Sequence, residues 1–95
     1  MDDLQFAWDE QKNIANIKKH GIAFPEAAKV YFDPERLELF DDKHASANEE
    51  RWDIIGSVNA KILFVVVTRQ ADTLVGIISA RRATKKEEEA YYGNR

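Results

Sequence analysis

Residues 52–58 (WDIIGSV), 62–69 (ILFVVVTR) and 73–81 (TLVGIISAR) are three apolar runs separated only by Asn59-Ala60-Lys61 and Gln70-Ala71-Asp72. Runs rich in β-branched residues and bounded by short polar breaks read as strands. Connections this short force antiparallel neighbours, because a parallel crossover needs about a dozen residues or more. The segment is therefore a meander. Along its middle strand Ile62, Phe64 and Val66 face one way and Leu63, Val65 and Val67 the other. With both faces apolar, both must be covered at least in part.

Working outward toward the N-terminus, Leu4 to Trp8 alternates weakly and predicts a short first strand with Leu4, Phe6 and Trp8 on one face. Asp9 reads as a helix N-cap, with Glu10 in the first turn, where a negative charge suits the helix dipole. Ile14 and Ile17 lie three apart on one helical face, and Lys18, Lys19 and His20 crowd the last turn before Gly21, the residue favoured just past a helix end. Phe24, Ala27, Ala28, Tyr31 and Phe32 recur at helical spacing, Pro25 fits a first turn, and Asp33-Pro34 stops a second helix. These two helices can cover one side of the sheet. Leu37 to Phe40 predicts another short strand, and the polar stretch 41–50 an exposed loop.

On the C-terminal side, Thr84-Lys85-Lys86-Glu87 has the form of a capping box and predicts a short helix to about Tyr92. The expected fold is α+β: a twisted antiparallel sheet with two N-terminal helices and a short C-terminal helix, in the order β-α-α-β-β-β-β-α. No repeat, linker or low-complexity stretch divides it, so residues 1–95 are read as one domain.

Composition narrows the function. With 44% hydrophobic and 33% charged residues the chain belongs with globular proteins, and without cysteine it has neither disulfides nor thiolate metal sites. No apolar run approaches the roughly 20 residues of a membrane span, and the acidic start lacks a signal peptide's basic region, so a cytoplasmic location is expected and no membrane association. Net charge is −3. Such a chain repels nucleic acid globally, and any RNA site must be local.

The densest basic cluster is Arg81, Arg82, Lys85 and Lys86, at the junction of the last strand and last helix. Lys85 and Lys86 fall in the first helical turn, where the dipole disfavours cations and favours an anion. The junction is thus a candidate phosphate site; the plainer reading is a solvated basic surface neutralised by Glu87, Glu88 and Glu89. Arg69 ends the middle strand far from Arg81, and a site using both would have to span the sheet; pairing with Asp72 is its simpler role. His44, in Asp41-Asp42-Lys43-His44, is a candidate general base or acid that a flanking carboxylate would orient. His20 is more simply a helix C-terminal residue. Spacing of the two histidines and the aspartates fits no zinc pattern, so neither metal nor cofactor is expected. Trp8, Trp52, Phe6 and Phe32 could stack on bases, although core packing accounts for most aromatics in a chain this small. No glycine-rich phosphate loop or nucleophile elbow is present, which removes nucleotide hydrolases and acyl-transfer enzymes.

In order along the chain stand Phe6-x-Trp8-Asp9, Lys12-Asn13-x-x-Asn16, Lys19-His20-Gly21, Phe24-x-Glu26-Ala27, Phe32-Asp33-Pro34, Asp42-x-His44, Glu50-Arg51, Gly56 and Ile78-Ser79-Ala80-Arg81-Arg82-Ala83-Thr84, with Glu87 and Tyr91. The series closely resembles the BrnT family, toxins of bacterial type II toxin–antitoxin pairs. The resemblance implies a RelE-like ribonuclease fold, metal-independent RNA cleavage that inhibits translation, and a BrnA-like ribbon-helix-helix antitoxin. It further implies a two-plus-two toxin–antitoxin complex that binds operator DNA through the antitoxin.

In metal-free RNA cleavage a 2′-OH attacks phosphorus, a base takes its proton, cations stabilise the charge and an acid protonates the leaving oxygen. Under the resemblance, His44 takes proton transfer, Arg51 and Arg81 charge stabilisation, Lys85 phosphate positioning, and Tyr91 base contact or proton transfer. Glu87 is either a base or the capping-box partner. Arg69, Arg82 and Lys86 are expected to bind RNA. One departure from the family matters: residues 33–53 hold eight acidic against three basic side chains, a local charge of −5, where BrnT proteins usually look more basic. An alternative reading is therefore a catalytically inactive subunit that partners the antitoxin as a co-repressor, and a third is a small metal-dependent phosphodiesterase.

Overall fold

The computed structural model describes residues 4–46 and 49–93; of the loop expected over 41–50, residues 47 and 48 lie outside the described residues. The elements are β1 (Gln5–Ala7), α1 (Glu10–His20), α2 (Phe24–Ala27), a 3₁₀ segment (Ala28–Phe32), β2 (Leu37–Phe40), β3 (Glu50–Val58), β4 (Lys61–Ala71), β5 (Leu74–Arg82) and α3 (Lys85–Gly93). The expected α+β order is found, with the second helix tightening into 3₁₀ geometry halfway.

The five strands form one sheet in the order β1-β5-β4-β3-β2. From β2 to β5 every pairing is antiparallel. The edge strand β1 instead pairs parallel with β5, Phe6 lying beside Val75, so the sheet is mixed rather than wholly antiparallel. Residues 8–73 separate these two strands, and no short turn dictates their direction. Between β3 and β4 the turn is two residues, Asn59 and Ala60, both at positive φ (52° and 67°), the geometry whose twist matches a hairpin. That short turn adds Lys61 to the start of β4, while β3 gains Glu50 and Arg51 and β4 gains Gln70 and Ala71 at the ends away from the turn. The β4–β5 ladder slips twice, between Val66 and Val67 and between Arg69 and Ala71, making Ile78 and Gln70 the extra residues of two β-bulges.

The alternation of β4 divides the interior. Leu63, Val65 and Val67 join Ile22, Phe24, Ala27, Val30, Ile54 and Val75 in the main core beneath α1, α2 and the 3₁₀ segment. On the other face Ile62 and Phe64 meet Ile55, Leu37 and Tyr91 of α3 in a smaller cluster. Asp33 ties that side together: its Oδ2 accepts from the Ser57 amide at 2.7 Å and the Tyr91 hydroxyl at 2.6 Å.

Helix α1 is capped as its sequence requires, the Asp9 carboxylate accepting from the Gln11 and Lys12 amides and Gly21 standing at φ 74°. Its buried face is not the isoleucine face. Ile14 and Ile17 are 47% and 43% exposed, while Asn13 and Asn16 are buried. Asn16 donates to the Ile22 and Ala80 carbonyls, both at 2.8 Å, and accepts from the Ala80 amide at 3.1 Å; Asn13 accepts from the Phe24 amide. Beyond Gly76, β5 has no neighbour in β1, and the Asn16 amide takes the place of a strand at that edge. A buried backbone group left unpaired costs roughly 1–3 kcal/mol, which outweighs the preference for an apolar helix stripe here. Among the described residues no helix is long and apolar enough to cross a membrane.

Candidate active site

The face of the sheet opposite α1 and α2 is only half covered. Helix α3 lies over Ile55, Ile62 and Phe64 through Tyr91. Cross-strand register builds parallel rows on this face: Ile55–Phe64–Arg81, then Asp53–Val66–Ser79, then Arg51–Thr68–Gly76. Successive rows are about 7 Å apart along the strands. Asp53 thus stands in the row between the two arginines expected to stabilise charge.

Arg81 is held on three sides. Its Nη1 and Nη2 donate to Oε1 and Oε2 of Glu87 at 2.8 and 2.9 Å, Nη1 also donates to the Arg82 carbonyl, and the guanidinium lies 4.2 Å from the centre of the Phe64 ring. The expected capping box is formed as well: Thr84 N donates to Glu87 Oε1 at 2.8 Å and Glu87 N to Thr84 Oγ1 at 3.2 Å. Glu87 therefore links the end of β5 to the start of α3. The Arg81 guanidinium holds the Glu87 carboxyl below the ordinary carboxylate range, and Glu87 in turn raises Arg81. A carboxylate occupied by three donors is a weak base, and its evident work is to hold Arg81 in place.

His44 sits in the loop leaving β2, whose start is pinned by the Asp41 amide donating to the Arg51 carbonyl at 2.8 Å. The His44 ring places Nδ1 2.9 Å from Asp41 Oδ2, and its amide donates to Asp41 Oδ1. In the tautomer that donates Nδ1–H to Asp41, Nε2 is left as the acceptor on an exposed ring. The hydrogen bond from His44 holds the Asp41 carboxyl below its ordinary value.

Asp53 completes the cluster. Burial pushes its carboxyl above the ordinary value, the Asp41 charge adds to this and Arg51 opposes it, with Glu87 and His44 also within electrostatic reach. The arrangement brings together His44, Arg51, Arg81 and Glu87 of the residues expected from sequence and adds Asp41 and Asp53. A carboxylate raised toward neutrality among cations is a group suited to proton transfer. Its sequence signal is the alternation Arg51-x-Asp53-x-Ile55, which puts an acid on a face that is otherwise apolar or basic.

The remaining expected residues are more dispersed. Lys85 and Lys86 are exposed in the first turn of α3, beside Arg81, and Arg82 is exposed at the end of β5. Tyr91 is 4% exposed inside the smaller core, where its hydroxyl donates to Asp33. Arg69 pairs with Val75 on the face toward the helices, five residues along β4 from the partner of Arg81, and lines a cleft with Tyr31 and Asp72. The main cluster and Arg69 thus occupy opposite faces, and no ion pair joins Arg69 to Asp72 among the described residues. Trp8 and Phe6 pack against the main core with Trp52, whereas Phe32 is 82% exposed. Among the described residues, no group of three His, Asp or Glu side chains is placed to hold a metal ion.

Comparison with known proteins agrees with this architecture. No curated protein sequence matches the chain. A crystal structure of the Brucella abortus ribonuclease toxin, BrnT, superposes with a TM-score of 0.64 at 25% sequence identity, covering 86% of this chain and 99% of that one. The family model of the ribonuclease toxin BrnT, of type II toxin–antitoxin systems, matches residues 8–87. That span contains every residue of the cluster on the open face, and the chain belongs to the BrnT family of ribonuclease toxins.

Proposed function

We propose that this chain cleaves RNA without a metal ion at the cluster of His44, Asp53, Arg51 and Arg81, and that cleavage inhibits translation. The observation that carries the reading is Asp53 standing between the Arg51 and Arg81 rows on one half-covered face, within electrostatic reach of the carboxylate-held His44. His44, oriented by Asp41, takes the proton of the attacking 2′-OH through Nε2. The new bond forms between the 2′ oxygen and phosphorus, and the bond to the 5′ oxygen breaks, leaving a 2′,3′-cyclic phosphate and a 5′-hydroxyl. Asp53, the one of the three cluster carboxyls that is raised rather than lowered, returns a proton to the leaving oxygen. Arg81, fixed by Glu87 and the Phe64 ring, and Arg51 stabilise the charge gathered on the phosphorane oxygens. Lys85 and Lys86 grip flanking phosphates at the edge of the same face, and Arg82 and Arg69, whose strand positions face the other way, serve only RNA that passes around the sheet.

Type II membership implies an antitoxin partner. We take it to be a BrnA-like ribbon-helix-helix protein that forms a two-plus-two complex and carries the pair onto operator DNA. The acidic span 33–53 supports a partner with a basic toxin-binding segment.

The test is expression of the chain alone beside Arg81→Ala, with mapping of cellular RNA ends and purified cleavage assays in EDTA. Growth arrest with new RNA ends that persist in chelator and disappear in the variant is expected. Unimpaired growth with folded protein, together with tighter operator binding by the toxin–antitoxin pair, would instead establish the co-repressor reading.

A further inference from the structure

Beside the cluster, where the open face meets the β1–β5 edge and the start of α1, lies a groove of about 420 Å³ lined by Lys12, Glu49, Thr68, Gln70 and Gly76 among others. Its floor is shaped by two departures from regular pairing. Gln70 is the extra residue of one β-bulge and Ile78 of the other, and both border the groove. Bulges re-aim side chains, and here Gln70 is turned back across Gly76. A Cβ on Gly76 would lie 2.6 Å from Thr68 Oγ1 and 2.7 Å from Gln70 Nε2, so only glycine leaves room for that amide. Gln70 Nε2 donates to Thr68 Oγ1 at 3.0 Å, which fixes the amide and leaves Oε1 as an acceptor.

We propose that this groove is the base subsite of the nuclease and that it takes guanine; the inference rests on the nuclease reading of the adjacent cluster. Thr68 is the direct cross-strand neighbour of Arg51, so a nucleotide whose phosphate sits at Arg51 carries its base to the groove. The groove offers the acceptors Gln70 Oε1 and the Glu49 carboxylate, with the Asp9 carboxylate engaged at the α1 cap, and one cationic donor, Lys12. Guanine presents the complement: adjacent N1–H and N2–H₂ donors beside the O6 acceptor. Adenine and cytosine set a ring acceptor next to their amino group, and uracil flanks its single N–H with carbonyls, so none of them offers two adjacent N–H donors to the two acceptors. Reading an unstacked base by its Watson–Crick edge is the usual route to sequence preference in RNA recognition.

The test is titration of the full chain with guanosine 3′-monophosphate and cytidine 3′-monophosphate, followed by amide NMR, with the same comparison on Gln70→Ala and Glu49→Gln. Guanylate should shift the Thr68, Gln70 and Gly76 amides and bind about tenfold more tightly than cytidylate, the discrimination of one good base contact. Each variant should lose most of that ratio; residues 49 and 70 are exposed, so the fold survives their substitution. In oligoribonucleotide cleavage, the ratio of cutting beside guanine to cutting beside cytosine should fall in the same variants. Equal affinity for the two nucleotides, or a ratio unchanged in Gln70→Ala, overturns the subsite. Guanylate preference in a chain that cuts no RNA overturns the nuclease reading alone, whereas cleavage indifferent to guanine overturns the subsite alone.

Discussion

The two faces of the sheet are made from the same strands and serve opposite ends. On the helix-covered face, Leu63, Val65, Val67 and Val75 are fully buried against Phe24, Ala27 and Val30. On the other, α3 covers one half and leaves Asp53, Arg51 and Arg81 in a half-open, charged field. The difference teaches where this small protein keeps its stability and where it spends it. The closed face is a packed apolar core that also buries the Tyr31 hydroxyl and the Arg69 Nε without a hydrogen-bond partner among the described residues. The open face holds an acid raised by desolvation and an arginine aligned by a carboxylate, arrangements that contribute chemistry rather than cohesion.

The sharpest way to break this comparison is a pair of truncations on opposite faces. His44→Ala should lower RNA cleavage by roughly 10²–10⁴-fold, the usual weight of general acid–base catalysis, and leave the melting temperature unchanged because the ring is exposed. Leu63→Ala, in the closed core, should cost about 2–5 kcal/mol in urea unfolding. A large stability loss from the histidine variant would erase the division between the faces.

Asn16→Ala probes the boundary between them. It strips the amide that serves the Ala80 edge and the Ile22 carbonyl, and should cost about 1–3 kcal/mol in the same unfolding measurement. Asn16→Leu, which places an apolar side chain at the buried position, should not recover the loss. Recovery would mean that packing, not backbone pairing, sets the face of α1.

Titration sharpens the comparison further, because the open face carries shifts of both signs. Asp53 has its folded-state pKa raised above the unfolded value, so its ionisation opposes folding at neutral pH, and the penalty is relieved as pH falls through the folded value. Asp53→Asn should therefore raise the melting temperature at pH 7, by an amount that shrinks on acidification, while slowing cleavage. Glu87 is shifted the other way, from an ordinary 4.5 downward by Arg81. Its stabilisation is present above 4.5 and lost as pH falls through the lower folded value, as is that of Glu26, held down by Lys61. Acid unfolding monitored with Glu87→Gln should show a smaller loss between pH 4.5 and the acid limit than the parent chain.

The smallest effect is expected at the β3–β4 turn, remote from the chemistry. Ala60 sits at φ 67°, where an L side chain is strained by about 1 kcal/mol, and Ala60→Gly should raise stability by up to that amount with cleavage unaltered.

Much of this was legible beforehand, for identifiable reasons. Strands β3, β4 and β5, the caps at Asp9 and Gly21, and the Thr84–Glu87 box depend on neighbours in sequence, so periodicity and spacing carry them. The two apolar faces of β4 required two covers, and both are present. In contrast, the parallel pairing of β1, the inward turn of Asn13 and Asn16 and the bulges at Ile78 and Gln70 answer to partners up to 69 residues away. Local pattern has no term for a backbone edge that a distant asparagine must satisfy.

The candidate site divides along the same line. Sequence by itself determined the residue types, the order of the elements and the anion-favouring junction of Arg81 with α3, because each is a property of composition or of adjacent positions. Only the tertiary structure decided which of the charged residues meet. Register across β3, β4 and β5 sets Asp53 in the row between those of Arg51 and Arg81, loop anchoring brings His44 to Asp41, and burial places Tyr91 in the smaller core while strand alternation turns Arg69 to the other face. Electrostatic coupling falls steeply with distance and depends on burial, and both quantities exist only once the chain is folded.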